Sequence, residues 1–413
     1  MEEKSKQKYS DKPRLIVGLT GAFGSGTSYI AKKFFKEKGY VKLSLADSLK
    51  EEYNKHLKDS GKEIPEDISR KDLQDYGNFL RADDREFLAK NVNELIQNDT
   101  NYVIDSFRNP AEIEFFRSKH TDFILIGVFA TRSIRWDRKS PKYEGNQKIF
   151  NQDDERDSGK GEPPWGQRIS DCFFESDLVI SNNEDLEEDI ELFEKKEGTI
   201  SHYLEAFRRP DISSPRIDER FMADAYIAGR ESTCMKRRVG AVIVNKQDRI
   251  VSSGCNTVPN GRVPCDTKFR ECFRDRKRRE FAKKLSVSIK NNLKEGGYDD
   301  SKFEVPDEIF KHSFINTIKL IDYCRSLHGE ESAIMSLVGS GVSLEDSTIY
   351  VTTHPCNLCA NKIVQSGIKH VVYFEPYPIV EAQNILKEGG VDTRPFEGVT
   401  FRAFFKAYKY QPS

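Results

Sequence analysis

His328-Gly-Glu330 and, further along the chain, Pro355-Cys356-Asn-Leu-Cys359 set one imidazole, two thiols and a carboxylate at fixed spacing. A zinc ion readily takes one nitrogen and two sulfur ligands, and three protein ligands leave a fourth position for water. We therefore predict that His328, Cys356 and Cys359 bind catalytic Zn²⁺. Glu330 lies two residues after the histidine, close enough to move a proton as the catalytic residue without binding the metal.

The order H-x-E followed by P-C-x-x-C is the signature of zinc enzymes that deaminate nucleobases. Zinc can lower the pKa of a bound water to about 7, which makes hydroxide available at neutral pH. The pattern also predicts a helix that begins at His328 and another that begins near Cys356. The alternative is a structural zinc site with Glu330 as a solvated carboxylate, but such a site needs four protein ligands, and no fourth lies at the usual short spacing.

The bulk composition narrows the class of protein. The 413 residues predict two or three domains, and 66 basic against 67 acidic residues give no reason to expect nucleic acid as a partner. The longest apolar run, residues 123–130, is far shorter than the roughly 20 residues that span a bilayer, and residues 1–8 contain no apolar signal segment. Eight cysteines without a secretion signal favour metal binding in a reducing cytoplasm. We expect a cytoplasmic protein with no membrane partner.

A glycine-rich loop follows the first apolar strand. Residues 14–20 run into Gly21-Ala-Phe-Gly24-Ser25-Gly26-Thr27-Ser28 and then into a helical pattern. Strand, glycine loop and helix form the context of a P-loop, whose backbone N–H groups surround a phosphate. Thr27 stands where the P-loop pattern has lysine, which weakens the case for phosphoryl transfer, although Ser28 remains at the position that could still bind Mg²⁺.

Beyond this loop, apolar strands alternate with helical patterns up to about residue 200, which predicts a parallel α/β sheet. Asp105 ends the strand Tyr-Val-Ile-Asp105 at the position of a Walker-B acid; the alternative is an ordinary strand-end carboxylate. Arg132, Arg135 and Arg138 recur every three residues, so we predict that they share a helix face and clamp phosphates.

Residues 14–200 resemble the P-loop deoxynucleoside-monophosphate kinase family in the glycine-rich loop, in Val103-Ile-Asp-Ser-Phe-Arg-Asn-Pro-Ala-Glu112 and in the arginine-rich segment after residue 130. The resemblance implies a P-loop nucleotide-kinase-like domain at 14–207 that binds a nucleotide effector or recruits substrate. An inactive scaffold and residual phosphotransfer are the alternatives. The expected nucleotide-binding residues, with Mg²⁺ beside them, are Gly21, Gly24, Ser25, Gly26, Thr27, Ser28 and Asp105.

Turn formers at 208–215 predict a linker. The segment after it orders its patterns as helix, hairpin, helix with the histidine, strand, helix with the paired cysteines, and strand. This order predicts a three-layer α/β/α domain at 216–408, with both metal-bearing helices on one face of the sheet.

Residues 216–400 resemble the deoxycytidylate deaminase family. The likeness rests on the metal motifs together with Arg230-Glu-Ser-Thr-Cys234, Val239-Gly-Ala-Val-Ile-Val, Gly254-Cys-Asn256 and Gln365-Ser-Gly-Ile-Lys-His-Val-Val-Tyr373. The resemblance implies the cytidine deaminase fold, with Glu330 as the proton shuttle and Asn256 hydrogen-bonded to the deoxyribose or base. Tyr377 matches an aromatic near the base. For Asn256 the alternative is an asparagine that only satisfies its own loop.

A kinase-like half joined to a deaminase half resembles the bacterial anti-phage dCTP/dCMP deaminases. This resemblance implies deamination of free dCTP and dCMP to the deoxyuridine forms, which would deplete the deoxycytidine nucleotide pool during infection. Deaminase relatives are often hexameric, so a homo-oligomer is expected. The alternatives are a deaminase that edits cytosine in RNA or single-stranded DNA and a nucleotide sensor without activity.

Two further features carry expectations of their own. Some deoxycytidylate deaminases hold a second zinc, and four thiolates would close such a structural site; the alternative is free thiols packed as small apolar groups. The cysteines available for it are Cys234, Cys265, Cys272 and Cys324. The basic stretch 268–284 predicts either a solvated helix face or a surface that captures triphosphates or an RNA inhibitor.

Overall fold

The computed structural model describes residues 13–66, 68–184, 186, 189–296, 323–374 and 380–409. The chain divides into two compact units, residues 1–223 with 395–413 and residues 224–394. This division differs from the domain bounds 14–207 and 216–408 expected from the sequence, because the last stretch of chain returns to the first unit. Among the described residues, no helix is long and apolar enough to cross a membrane.

A six-stranded sheet organises the first unit, in the order β11-β5-β4-β1-β3-β2. Its strands are β1 (Ile16–Thr20), β2 (Val41–Ser44), β3 (Tyr102–Asp105), β4 (Phe123–Phe129), β5 (Leu178–Ser181) and β11 (Gly398–Val399). Strands β1 to β5 pair in parallel, and β11 pairs antiparallel with β5. The parallel α/β sheet predicted for this region is confirmed.

Helices cover both faces of this sheet, as a buried parallel sheet requires. All seven residues of β4 are buried; Ile124 and Ile126 join one hydrophobic cluster, and Phe123 and Leu125 join another. The helices are α1 (Thr27–Ile30, continued by a π turn at Ala31–Phe35 and a 3₁₀ turn at Lys36–Lys38), α2 (Leu45–Asp59), α3 (Arg70–Asp83), α4 (Phe87–Asn93), α5 (Pro110–Lys119), α6 (Arg132–Lys139), α7 (Gln147–Asp157), α8 (Ile169–Phe174), α9 (Ile190–Arg208) and α16 (Phe404–Ala407). Helix α10 (Ile217–Arg230) begins in the first unit and ends in the second.

The C-terminal segment is held on the first unit by a buried carboxylate. Glu219, 1% exposed, accepts hydrogen bonds from the Val399 backbone N–H at 2.7 Å and from the Tyr408 hydroxyl at 2.8 Å. The Lys196 ammonium also forms an ion pair with Glu397 at 3.0 Å. These contacts join residues far apart in the sequence, so no local pattern announces them.

The second unit contains a five-stranded sheet in the order β10-β9-β8-β6-β7. Its strands are β6 (Gly240–Val244), β7 (Ile250–Cys255), β8 (Thr348–Val351), β9 (His370–Tyr373) and β10 (Asp392–Pro395), and its helices are α11 (Cys265–Phe269), α12 (Phe273–Glu295), α13 (Gly329–Met335), α14 (Asn357–Gln365) and α15 (Val380–Glu388). Strand β6 is antiparallel to β7 and β8, whereas β8 and β9 are parallel. The mixed α/β class predicted for this region is confirmed.

Close packing of α13 on the sheet positions the first metal motif. A Cβ atom at Gly254 in β7 would collide with the backbone of Ala333 in α13, so the strand can approach the helix only with glycine there. Apolar side chains from both layers, among them Ala241, Ile349 and Ile363, join Ala333 in one buried cluster.

Candidate metal centre and active site

The predicted ligands lie at the starts of two neighbouring helices. His328 is the N-cap residue of α13, and its backbone N–H donates to the Glu331 carboxylate at 3.3 Å. Cys356 is the N-cap residue of α14, and Cys359 is buried in the first turn of that helix. Both helix starts predicted from the sequence therefore lie where the motifs placed them, to within one residue.

These three side chains form a cluster able to hold a metal ion. The His328 Nδ1 atom lies 3.3 Å from the Cys356 sulfur and 3.4 Å from the Cys359 sulfur. All three ligand atoms are within 4.8 Å of one another. In a tetrahedral zinc site, with Zn–S near 2.3 Å and Zn–N near 2.0 Å, neighbouring N and S ligands are about 3.5 Å apart. The donor set and its spacing therefore fit Zn²⁺.

The electrostatics of the cluster favour thiolate. The hydrogen bond from the Cys359 thiol, together with that from His328, lowers the pKa of Cys356 to about 3. The same hydrogen bond and burial raise the pKa of Cys359. These hydrogen bonds favour the thiolate form of Cys356, which is the form that binds zinc.

Glu330 lies beside the cluster but is not part of it. Its side chain is 2% exposed, and burial raises the pKa of this carboxyl to about 7. A carboxyl with a pKa near the working pH can both accept and return a proton, which is what general acid–base catalysis requires. The structure places Glu330 as the sequence predicts, and its catalytic role stays a prediction.

A pocket of about 250 Å³ opens beside His328 and is lined by three cations that the sequence analysis did not single out. They are Arg262, Arg325 and Lys362. Arg325 is 8% exposed and lies over the Phe269 ring at 5.0 Å. The sequence offered one indication of this role, because Arg325 lies three residues before His328. A single arginine outside a motif, however, does not indicate which way its side chain faces.

The family resemblance implies two substrate-binding residues, Asn256 and Tyr377, and the structure describes only the first of them. The side-chain carbonyl of Asn256 accepts from the Val239 backbone N–H at 2.7 Å, and its side-chain amide donates to the Arg237 backbone carbonyl at 2.8 Å. Both ends of this side chain are therefore engaged by backbone, as the loop-satisfying alternative expects. A contact from Asn256 to substrate stays a prediction. Tyr377 lies outside the described residues.

The four cysteines of the predicted second zinc site line one small cavity, of about 20 Å³, in the second unit. Burial raises the pKa of Cys324, and the neighbouring Cys234 and Cys272 contribute to the rise. The thiols thus approach one another, but across the described part of the chain the cluster of His328, Cys356 and Cys359 is the one whose ligand atoms are close enough to bind a metal. A second zinc stays a prediction.

The glycine-rich loop borders a separate cavity, of about 820 Å³, within the first unit. All the predicted nucleotide-binding residues line it except Ser25, which is buried behind the loop. Ser28 donates to Asp105 Oδ2 at 2.5 Å, which brings together the two side chains expected to hold Mg²⁺. Nucleotide and Mg²⁺ binding at these residues stay predictions.

The predicted arginine clamp is wrong for Arg135. This side chain is 1% exposed and pairs with the buried Asp154 carboxylate, while its Nη1 atom donates to the Phe23 carbonyl at 3.1 Å. Arg132 reaches the same carboxylate at 3.2 Å. A three-residue spacing places side chains on one helix face, but it does not distinguish a ligand contact from a buried ion pair.

Comparison with known proteins identifies relatives of the second half of the chain. Residues 215–375 match the family model described as the cytidine and deoxycytidylate deaminase zinc-binding region. The deoxycytidylate deaminase of Enterobacteria phage T2 is 32% identical over 173 residues, which are 41% of this chain and 86% of the phage protein. That of Schizosaccharomyces pombe is 28% identical over 201 residues, 47% of this chain and 50% of the yeast protein, so the chain spans half of that relative's length.

Among solved structures, the apo dCMP deaminase of cyanophage S-TIM5 is 21% identical, covers 44% of this chain and 99% of its own, and has a TM-score of 0.28. The fold and the His/Cys/Cys cluster together define an α/β protein with a candidate metal site. The phage T2 relative is matched over most of its own length, and this match shows the family. The chain belongs to the cytidine and deoxycytidylate deaminase family. Both the family description and the donor set support Zn²⁺ as the metal of this site.

Proposed function

We propose that the protein hydrolytically deaminates free deoxycytidine nucleotides, dCMP and dCTP. The observation that carries this proposal is the cluster of His328, Cys356 and Cys359 beside the buried carboxyl of Glu330. Water oxygen replaces the amino group at C4 of the cytosine ring, which yields the deoxyuridine nucleotide and ammonia. Deoxycytidylate deaminases among the relatives support the choice of a free nucleotide as substrate.

Bound zinc supplies an activated water at neutral pH. The chain's own residues would hold the metal, exclude bulk water and transfer protons. His328, Cys356 and Cys359 hold the ion, and the burial of Cys359 and Glu330 keeps bulk water away from the reacting atoms. Glu330 would take one proton from the attacking water and deliver it to N3 of the ring. It would then take the remaining proton from the new C4 hydroxyl and give it to the amino group, so that the C4 carbonyl forms as the C–N bond breaks and ammonia leaves.

The cations of the neighbouring pocket suit the phosphate end of the substrate. Arg262, Arg325 and Lys362 line the 250 Å³ space that His328 also borders. Lys362 forms an ion pair with Glu331 at 2.8 Å, and both side chains line the pocket. Arginine and lysine at such a position bind phosphate through charge-assisted hydrogen bonds.

The remaining parts of the proposal concern the biological setting. The first unit would bind a nucleotide effector, and the chain would assemble with copies of itself. Depletion of dCTP by this deamination would act as anti-phage defence. These points rest on the likeness to two-domain anti-phage deaminases.

A substrate panel tests the function. The purified, zinc-loaded full chain is incubated with dCMP, dCTP, CMP and a cytosine-containing single-stranded oligonucleotide, and ammonia and product nucleotides are measured. We expect deamination of dCMP and dCTP and none of the oligonucleotide. Turnover of the oligonucleotide alone would reverse the assignment in favour of editing, which the near-neutral charge of the chain already disfavours.

A further inference from the structure

The cavity over the glycine-rich loop is large and rich in positive charge. Its volume, about 820 Å³, lies within the range of small-molecule and nucleotide sites. Four carboxylates line it, namely Asp47, Asp105, Asp137 and Glu184. Six cations line it as well, namely Lys42, Lys50, Arg70, Arg108, Arg138 and Lys139. An excess of cations around a concave site favours an anionic ligand.

The loop offers backbone donors to this cavity. The Phe23 carbonyl accepts from Arg135 at 3.1 Å, and the Ser25 carbonyl accepts from the Asn182 amide at 2.7 Å. Within the part of the chain that the structure describes, the N–H groups of Phe23, Gly24 and Gly26 donate to no backbone carbonyl. Gly26 has φ 93°, and a Cβ atom there would collide with Asn182, so the loop requires glycine. Adjacent unsatisfied N–H groups form an anion-binding surface.

One oxygen of a buried carboxylate at the cavity also lacks a hydrogen-bond partner. Asp105 is 2% exposed, and its Oδ1 atom has no hydrogen-bond partner among the described groups, while Oδ2 accepts from Ser28. A buried charged oxygen without a partner is unfavourable. A hydrated cation that arrives with a polyphosphate would satisfy it.

Lys139, the last residue of α6, lies against the loop at Phe23 and Gly24. A Cβ atom at Gly24 would be 3.1 Å from Lys139 Cγ, and the Lys139 ammonium is 5.3 Å from the centre of the Phe23 ring. No described carboxylate forms an ion pair with it. Burial and the neighbouring Lys142, Arg70 and Arg138 lower the pKa of Lys139, which marks a cation without local compensation.

Three of the neighbouring arginines are paired with carboxylates. Arg135 pairs with Asp154, and Arg70 and Arg108 both reach Asp157. Arg138 also borders the loop, where it donates to the backbone carbonyls of Gly24 and Glu184. Lys139 lies against the loop without an ion pair to a described carboxylate, so its charge is available to a ligand.

We propose that Lys139 takes the place of the lysine that is missing at Thr27, so that the first unit binds the phosphates of a nucleoside triphosphate. This inference deepens, and rests on, the proposed nucleotide site of the first unit. It is independent of the chemistry proposed for the second unit. Because the lysine comes from a different element, motif matching at the loop alone would not find it.

Calorimetric titration of the full chain with ATP and Mg²⁺ tests the proposal. Lys139→Ala should weaken binding roughly 10- to 100-fold, the loss expected for one charge-assisted contact. Lys142→Ala is the matched control, because this exposed lysine lies three residues away and does not line the cavity, and it should change the affinity less than about twofold. The double variant Thr27→Lys with Lys139→Ala returns a lysine to the loop and should recover most of the lost affinity.

Equal binding by wild type and Lys139→Ala would overturn the role of Lys139, as would an equal loss in Lys142→Ala. Absence of ATP binding by the wild type would overturn the nucleotide site itself. Deamination of dCMP, measured on the same preparation, keeps these failures separate from a failure of the proposed enzyme activity.

Discussion

The two units of this chain differ in how completely a short motif accounts for the site that contains it. In the second unit, two motifs bring His328, Cys356 and Cys359 together and place the buried Glu330 beside them, so the predicted metal ligands and the predicted proton shuttle lie at one site. In the first unit, the glycine loop keeps its shape and the Ser28–Asp105 pair, but Thr27 replaces the lysine. A complete motif predicts the reaction as well as the site, whereas an incomplete motif predicts only where a ligand would bind.

The largest effect is expected from Glu330→Gln in the second unit. Glutamine keeps the size of the side chain but cannot accept a proton, so we expect deamination to fall by about 10²- to 10⁴-fold. Zinc content should stay at the wild-type level, because Glu330 is not a ligand. Ammonia release and metal analysis on the same sample measure both quantities.

Glu331→Gln is the matched control for this variant. The adjacent Glu331 pairs with Lys362 and caps α13, and it should matter far less than its neighbour. A loss in Glu331→Gln as large as that in Glu330→Gln would contradict the distinct role of Glu330.

A second variant compares thiols in the two units. Cys359→Ser removes a buried sulfur of the metal cluster, and we expect the protein to lose one zinc per chain and its deaminase activity. Cys172→Ser changes a buried thiol of the first unit, where no metal cluster lies among the described residues, and it should leave the zinc content unchanged. Zinc loss in both variants would show that the metal depends on general stability instead of on Cys359.

The sequence predicted most of the second site and less of the first. His328, Cys356 and Cys359 were predicted because each motif is local and the helix starts follow from it. The return of the C-terminal segment was missed because β11 pairs with β5 across a long sequence separation. The buried pairing of Arg135 was missed because a repeat of arginines does not reveal which carboxylate each one meets.

The smallest effect concerns the carboxylate that holds this segment. Glu219→Gln cannot accept all the hydrogen bonds that Val399, Arg216 and Tyr408 donate, so we expect a loss of roughly 1–3 kcal/mol in the free energy of unfolding. This loss is measured by chemical denaturation of the wild type and the variant, followed by a probe of unfolding in the first unit.

The pH dependence of this loss has a defined sign. Burial raises the pKa of Glu219 above its ordinary 4.5, so its folded-state pKa lies above the unfolded value. The stability that Glu219 contributes is therefore fully present below about pH 4.5 and declines as pH rises through the folded pKa. The difference between wild type and Glu219→Gln should shrink from acid to neutral pH; a difference that grows instead would contradict this account.

The claim on which the rest depends is that the imidazole and two thiols of the second unit hold a zinc ion for the deamination of a cytosine nucleotide. Conversion of dCMP to dUMP should be followed in the full chain as purified with zinc, after removal of the metal by a chelator, and after zinc is restored. We predict equimolar dUMP and ammonia from the zinc-loaded protein, no product after chelation, and recovery on reloading. No product from the zinc-loaded chain, or equal rates with and without the metal, would contradict the account.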